Sequence, residues 1–148
     1  MAQTNNPNNI SDPLISTGAE ENGVVFYGSA TVAAASAVSD KYRPCRIAGG
    51  TNVHRVVIKN TDLDSGGSPA IICKIGYAPM DGSTAVTEAF VATGATILQA
   101  AATTTYEIFP PVNVPQDSFL EIGVTTGPAT GATGTVYGKV EGEAVGVA

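Results

Sequence analysis

The chain has a single histidine, His54, and any acid–base chemistry at neutral pH would centre on it. It stands in the run Val53-His54-Arg55-Val56-Val57-Ile58-Lys59, where strict alternation puts it on the face shared with Val56 and Ile58. A lone histidine on an apolar strand face is far more often a hydrogen-bonded core residue than a base. A Ser-His-Asp arrangement would have to use it, and no Gly-x-Ser-x-Gly elbow is present. The reading is of a protein that is not an enzyme, with no catalytic residue.

Asp62 and Asp64, in Thr61-Asp62-Leu63-Asp64-Ser65-Gly66-Gly67, offer carboxylates at the i, i+2 spacing of a calcium loop. Such a loop needs a third acidic position and a closing Glu, and both are missing. Asp also nucleates turns by bonding the backbone two residues on, and turn chemistry is the reading here. Cys45 and Cys73 form no Cys-x-x-Cys; buried free thiols are expected, with a bridge left open if their strands are neighbours. Gly66-Gly67 and the glycines at 131 and 134 sit between strands and lack the Gly-Lys-Ser/Thr ending of a phosphate loop. Tyr27, Tyr42, Tyr77, Tyr106 and Tyr137 are dispersed, which favours packing over a stacking platform, although strands distant in sequence can be adjacent in space. No cofactor and no metal are expected.

These residues lie on a pattern of short strands. Residues 53–59 and 70–77 are dense in β-branched side chains and are joined by Asp, Ser, Gly and Pro, which reads as a long-looped β-hairpin. Further strands are expected at 24–27, 30–38, 42–47, 106–109, 119–124 and 134–145, with Pro44 marking an edge or bulge and Pro110-Pro111 ending a strand. Turns are expected at 49–52, 80–83 and 116–118, and a Gly/Thr/Ala loop at 125–133. Helix competes only over 84–102, with Thr87 as cap, Gly94 as stop, and residues 97–101 as a second helical turn or a lid. Seven to nine short strands with regular turn signals predict an all-β, single-domain antiparallel β-sandwich or jelly roll over residues 23–148. Residues 1–22 are polar but keep Ile10, Pro13, Leu14 and Ile15 together, and read as an extended N-terminal arm that docks on its own core, a sister subunit or a partner.

The 148 residues suffice for one domain with a sizeable core. Only 14% are charged, against about a quarter in ordinary domains. A surface built from Thr, Ser, Ala, Gly and Asn suits broad contact with partners. The net charge is −6 with seven basic residues, the densest group being Lys41, Arg43 and Arg46. That trio reads as a solvated strand edge or ion-pair partner, and nucleic acid is not an expected partner. The N-terminus has neither the basic nor the apolar region of a signal peptide, and no apolar run reaches membrane-spanning length. The expectation is synthesis in a cytoplasm without export and no membrane partner.

Two stretches carry a family likeness. Arg55 through Thr84 holds Val-Ile, Asn-Thr-Asp-Leu-Asp, Pro-Ala, Gly-Tyr and Asp-Gly in order, and residues 125–143 read TTGPATGATGTVYGKVEGE. Both resemble runs in the cement or decoration proteins of tailed bacteriophage capsids. The likeness covers residues 53–143 in patches and is a pattern of strands and turns, not a catalytic signature. It implies a structural protein on the capsid exterior of the virion that stabilises junctions of the major capsid protein and self-associates as a homotrimer or homodimer. No individual binding residue transfers with it. The residues expected to touch partners are Ile10, Pro13, Leu14 and Ile15 of the arm, then Thr126 and Pro128 of the loop. The alternatives are a jelly-roll carbohydrate- or receptor-binding module, and another head–tail part of a virion.

Overall fold

The computed structural model describes residues 23–33 and 36–145. Nine strands appear there: β1 Gly23–Val32, β2 Lys41–Tyr42, β3 Arg46–Ile47, β4 Thr51–Asn60, β5 Ile72–Pro79, β6 Val86–Ala95, β7 Ala102–Val114, β8 Ser118–Thr126 and β9 Gly134–Ala144. Every pairing is antiparallel. One sheet runs β1-β9-β4-β7; the other runs β2-β8-β5-β6, with β3 also on β8. The protein is an all-β sandwich.

Alternation builds the core. Val24, Phe26 and Val32 of β1 point inward with Val136 and Val140 of β9 and Val53, Val56 and Ile58 of β4. They meet Cys73, Ile75 and Tyr77 of β5 and Leu120, Ile122 and Val124 of β8 from the opposite sheet. Gly28 pairs with Gly138 across β1 and β9. Both face the corner between β2 and β3, where Pro44 approaches so closely that a side chain on Gly28 would overlap its carbonyl oxygen.

Several expectations are corrected. The strands at 53–59 and 70–77 are not a hairpin: β4 pairs with β7 and β9, β5 with β6 and β8, and residues 61–71 cross from one sheet to the other. Both strands bury their β-branched residues in one core, and apolar density does not say which edge a strand joins. The helix considered over 84–102 is a strand, β6, carrying β-branched Val86, Thr87 and Val91, and the helical part is one 3-10 turn at Ile97–Gln99 with no side-chain cap. Pro110-Pro111 does not end β7, because β7 is an edge strand and bulges there.

That bulge also moves His54. Val53 pairs with Val112, yet the next pair is Arg55 with Glu107, so His54 alone stands opposite residues 108–111. Against β9, Val53 pairs with Gly142 and Arg55 with Glu141, so His54 is an extra residue that reverses the alternation of β4: Thr51 and Val53 are buried before it, and Val56, Ile58 and Asn60 after it. His54 is therefore exposed, not a core residue on the face of Val56 and Ile58. The run expected at 30–38 ends as a strand at Val32, where β1 has absorbed it. Pro44 interrupts the 42–47 strand as expected, leaving β2 and β3 as two short pieces on the edge of β8.

Candidate interaction surface

The loops at one end of the sandwich are organised by Asp64. Its side chain is fully buried, and its carboxylate accepts four backbone N–H bonds. Oδ2 takes Ala70 at 2.7 Å, Ala129 at 2.9 Å and Ile71 at 3.1 Å, and Oδ1 takes Thr130 at 2.8 Å. Burial works to raise its pKa, but the four N–H donors outweigh it and hold the carboxyl well below the usual range. Asp62 accepts the Asp64 N–H at 2.9 Å, as turn chemistry requires. Asp64 thus spends both carboxylate oxygens on backbone and Asp62 spends Oδ1, and the described residues hold no group of three metal-ligating side chains.

This anchoring fixes the 127–133 loop against the 61–71 crossover. Ser65 N–H bonds Thr130 carbonyl at 2.9 Å, Ala132 N–H bonds Leu63 carbonyl at 3.2 Å, and Asp64 bridges Gly131. Thr126 is exposed at the end of β8, and Pro128 is half-buried in the loop. Ile10, Pro13, Leu14 and Ile15 lie outside the described residues.

A second feature lies on the outer face of the β1-β9-β4-β7 sheet. Tyr27 and Tyr137 come from strands far apart in sequence, yet stand diagonally across β1 and β9 with 51% and 45% exposure. With Ser29, Val57, Lys59, Thr103 and Lys139 they line an open groove of about 510 Å³. The Lys59 ammonium sits 5.7 Å from the Tyr137 ring centre. Farther along the same face, Arg55 joins Glu107 at 2.9 Å and Glu141 at 3.5 Å. Beside that acidic end, Phe109 projects from the edge strand with 90% exposure and is followed by two prolines. The dispersal of the tyrosines hid the groove, and Phe109-Pro110-Pro111 read only as a strand end.

The opposite sheet carries one buried ion pair. Arg43 donates to Glu121 Oε2 through Nε at 3.0 Å and Nη2 at 2.9 Å, and stacks 5.5 Å from the Phe119 ring centre. Glu121 is 2% exposed, and its Oε1 has no hydrogen-bond partner. The Lys41, Arg43 and Arg46 trio therefore sits at a strand edge, with Arg43 as an ion-pair partner. Cys45 and Cys73 are buried and free, each with its thiol pushed up to about 12 by burial.

The fold and these surfaces define an all-β sandwich whose described polar clusters serve loop anchoring and ion pairing. It is similar to a chain in the capsid asymmetric unit of cyanophage Pam1, with a TM-score of 0.68 and 24% identity over 97% of this chain and 99% of that one. It is also similar to a chain in the capsid of Ralstonia phage GP4, with a TM-score of 0.72 and 20% identity over 95% of each chain. At that identity the likeness shows the shared fold. No protein-family model matches the sequence, and no curated protein does.

Proposed function

We propose that this chain is a structural virion protein that binds the outer surface of an icosahedral phage capsid and cements junctions of the major capsid protein. The observation that carries this reading is mutual coverage: the sandwich matches chains from two phage capsids almost end to end in both directions. The shared fold leaves little of either compared chain outside the comparison. The low charge of the chain and its rigidly anchored loop at 127–133 support the same reading. A preorganised loop loses little entropy on docking, and many weak contacts repeated over a lattice sum to firm attachment. In this reading the arm, with Ile10, Pro13, Leu14 and Ile15, and the loop, with Thr126 and Pro128, lie against the shell.

The test is co-sedimentation of the purified chain with capsids that lack it. Saturation at a fixed ratio to the major capsid protein, with shells that survive higher temperature, is expected. Capsids that leave the chain in the supernatant at every concentration overturn the proposal. A carbohydrate-binding module is the second reading, favoured by the adjacent exposed rings of Tyr27 and Tyr137.

A further inference from the structure

We infer that the outer face of the β2-β8-β5-β6 sheet carries a receptor slot over Gly123 for a neutral carboxamide, the side-chain end of an asparagine or glutamine, which donates to Glu121. Two independent observations meet there. The first is a glycine that packing does not require. Gly28, Gly76 and Gly142 also stand in strands, but each lies so close to a backbone oxygen, of Pro44, Val86 and Asn52, that a Cβ would overlap it. Around the Cβ position of Gly123 nothing lies within 4 Å. Its φ is not left-handed, and it pairs with Lys41 of β2 on one side and Lys74 of β5 on the other. Glycine weakens a strand, and one that no neighbour crowds marks a place where something else approaches.

The second observation is Glu121, two positions back along β8 and so on the same face as Gly123. It is 2% exposed, Arg43 holds its Oε2, and its Oε1 has no partner. A buried acceptor left unpaired destabilises the protein, and an incoming donor recovers that loss. Glu121 and Gly123, with Lys41, Lys74, Thr87 and Thr125, line a cavity of about 170 Å³, room for the end of a side chain.

The lining selects the occupant. Arg43 is spent on Glu121 and Lys74 on Glu88, and the remaining lining charges, Asp40 and Lys41, offset each other. A cation would be repelled by Lys41, Lys74 and Arg43, and an anion by Asp40 and Glu121, so a neutral group fits best. No aromatic ring lines the cavity, which leaves a sugar ring nothing to stack on. A carboxamide has N–H donors for Glu121 Oε1 and a carbonyl that accepts from Lys41 or Thr87 across the slot. Oε1 is covered, so the occupant displaces a side chain at the rim as it enters. Lys41 is exposed and in no ion pair among the described residues, and its long stem can turn aside.

The experiment is a titration of the full chain with propionamide, followed by NMR of the backbone amides. Saturable shifts at Glu121 and Gly123, with a Kd on the order of 10 mM, are expected. Gly123→Val should melt at the native temperature or above, because its side chain enters open space on a strand, and should lose the shifts. Propionate and butylammonium should leave the native slot unmoved. A native chain that ignores propionamide overturns the inference and leaves Oε1 to water. An equal response to butylammonium or propanol, or a Gly123→Val chain that still responds, overturns it as well. Co-sedimentation separates the slot from the capsid reading. A native chain that takes propionamide but ignores capsids leaves the slot standing and removes the capsid reading. Capsid binding that survives Gly123→Val leaves both standing and puts the slot outside the shell contact.

Discussion

Asp64 Oδ1 accepts the N–H of Thr130 at 2.8 Å, joining two loops 66 positions apart in the chain. With Ala70, Ile71 and Ala129 on Oδ2, this carboxylate holds the crossover between the sheets to the loop before β9. Asp64→Asn replaces one acceptor oxygen with an amide that points hydrogens at N–H donors. The expected result is a fall in Tm on the order of 10 °C, together with faster proteolysis of the 127–133 loop.

Acid should find the same point. The folded Asp64 carboxyl titrates below its unfolded value of about 3.9, so its contribution is complete above about pH 4 and is lost as pH falls through the lower folded value. Thermal melts between pH 2 and pH 6 should show the native protein losing more stability in acid than Asp64→Asn does. Parallel curves for the two proteins would refute this role.

The thiols should be silent. Burial raises both Cys45 and Cys73 to about 12, and neither is exposed enough for a reagent to reach. Ellman's reagent at pH 8 should find no thiol in the native protein and both in denaturant. Rapid native reaction at either position would contradict the buried placement.

Gly28 should tolerate no side chain. A methyl group there meets the Pro44 carbonyl oxygen, which belongs to the β2–β3 corner and has no flexible end to move aside. Gly28→Ala is expected to destabilise the protein by about 3 kcal/mol, measured by urea unfolding. Gly67→Ala, with open space around it, serves as the control and should stay within about 0.5 kcal/mol.

The strands were legible where alternation and turn chemistry agreed. β8 and β9 follow directly from Phe119-Leu120-Glu121-Ile122 and Thr135-Val136-Tyr137, and Pro44 marks an edge. Pairing was not legible, because β4 and β5 are equally apolar and only the assembled core places them in different sheets. His54 misled for a related reason. The bulge that exposes it is His54 itself, the extra residue of β4 between the Val53–Gly142 and Arg55–Glu141 pairs with β9, and the period-2 pattern assumes no such insertion. The loop around Thr126 and Pro128 was found by composition, but its anchor was not: Asp64 reads as one more turn aspartate until Ala129 and Thr130 are brought to it. The Tyr27–Tyr137 groove likewise exists only once β1 lies beside β9.

Arg43 and Glu121 provide the last test, because burial makes the pair asymmetric. Glu121 is almost wholly covered, while the Arg43 side chain is 44% exposed. Removing Arg43 strands a carboxylate whose other oxygen already lacks a partner, whereas removing Glu121 frees a cation that can turn to water. Arg43→Ala is therefore expected to cost about 2 kcal/mol or more, part of it from the lost stacking on Phe119. Replacing both residues with Met keeps the volume and removes the buried charge, so the double variant should regain much of that loss. Urea unfolding of the two variants decides it. A double variant no more stable than Arg43→Ala would mean that the pair itself, and not relief of a stranded charge, holds the β2–β3 edge to β8.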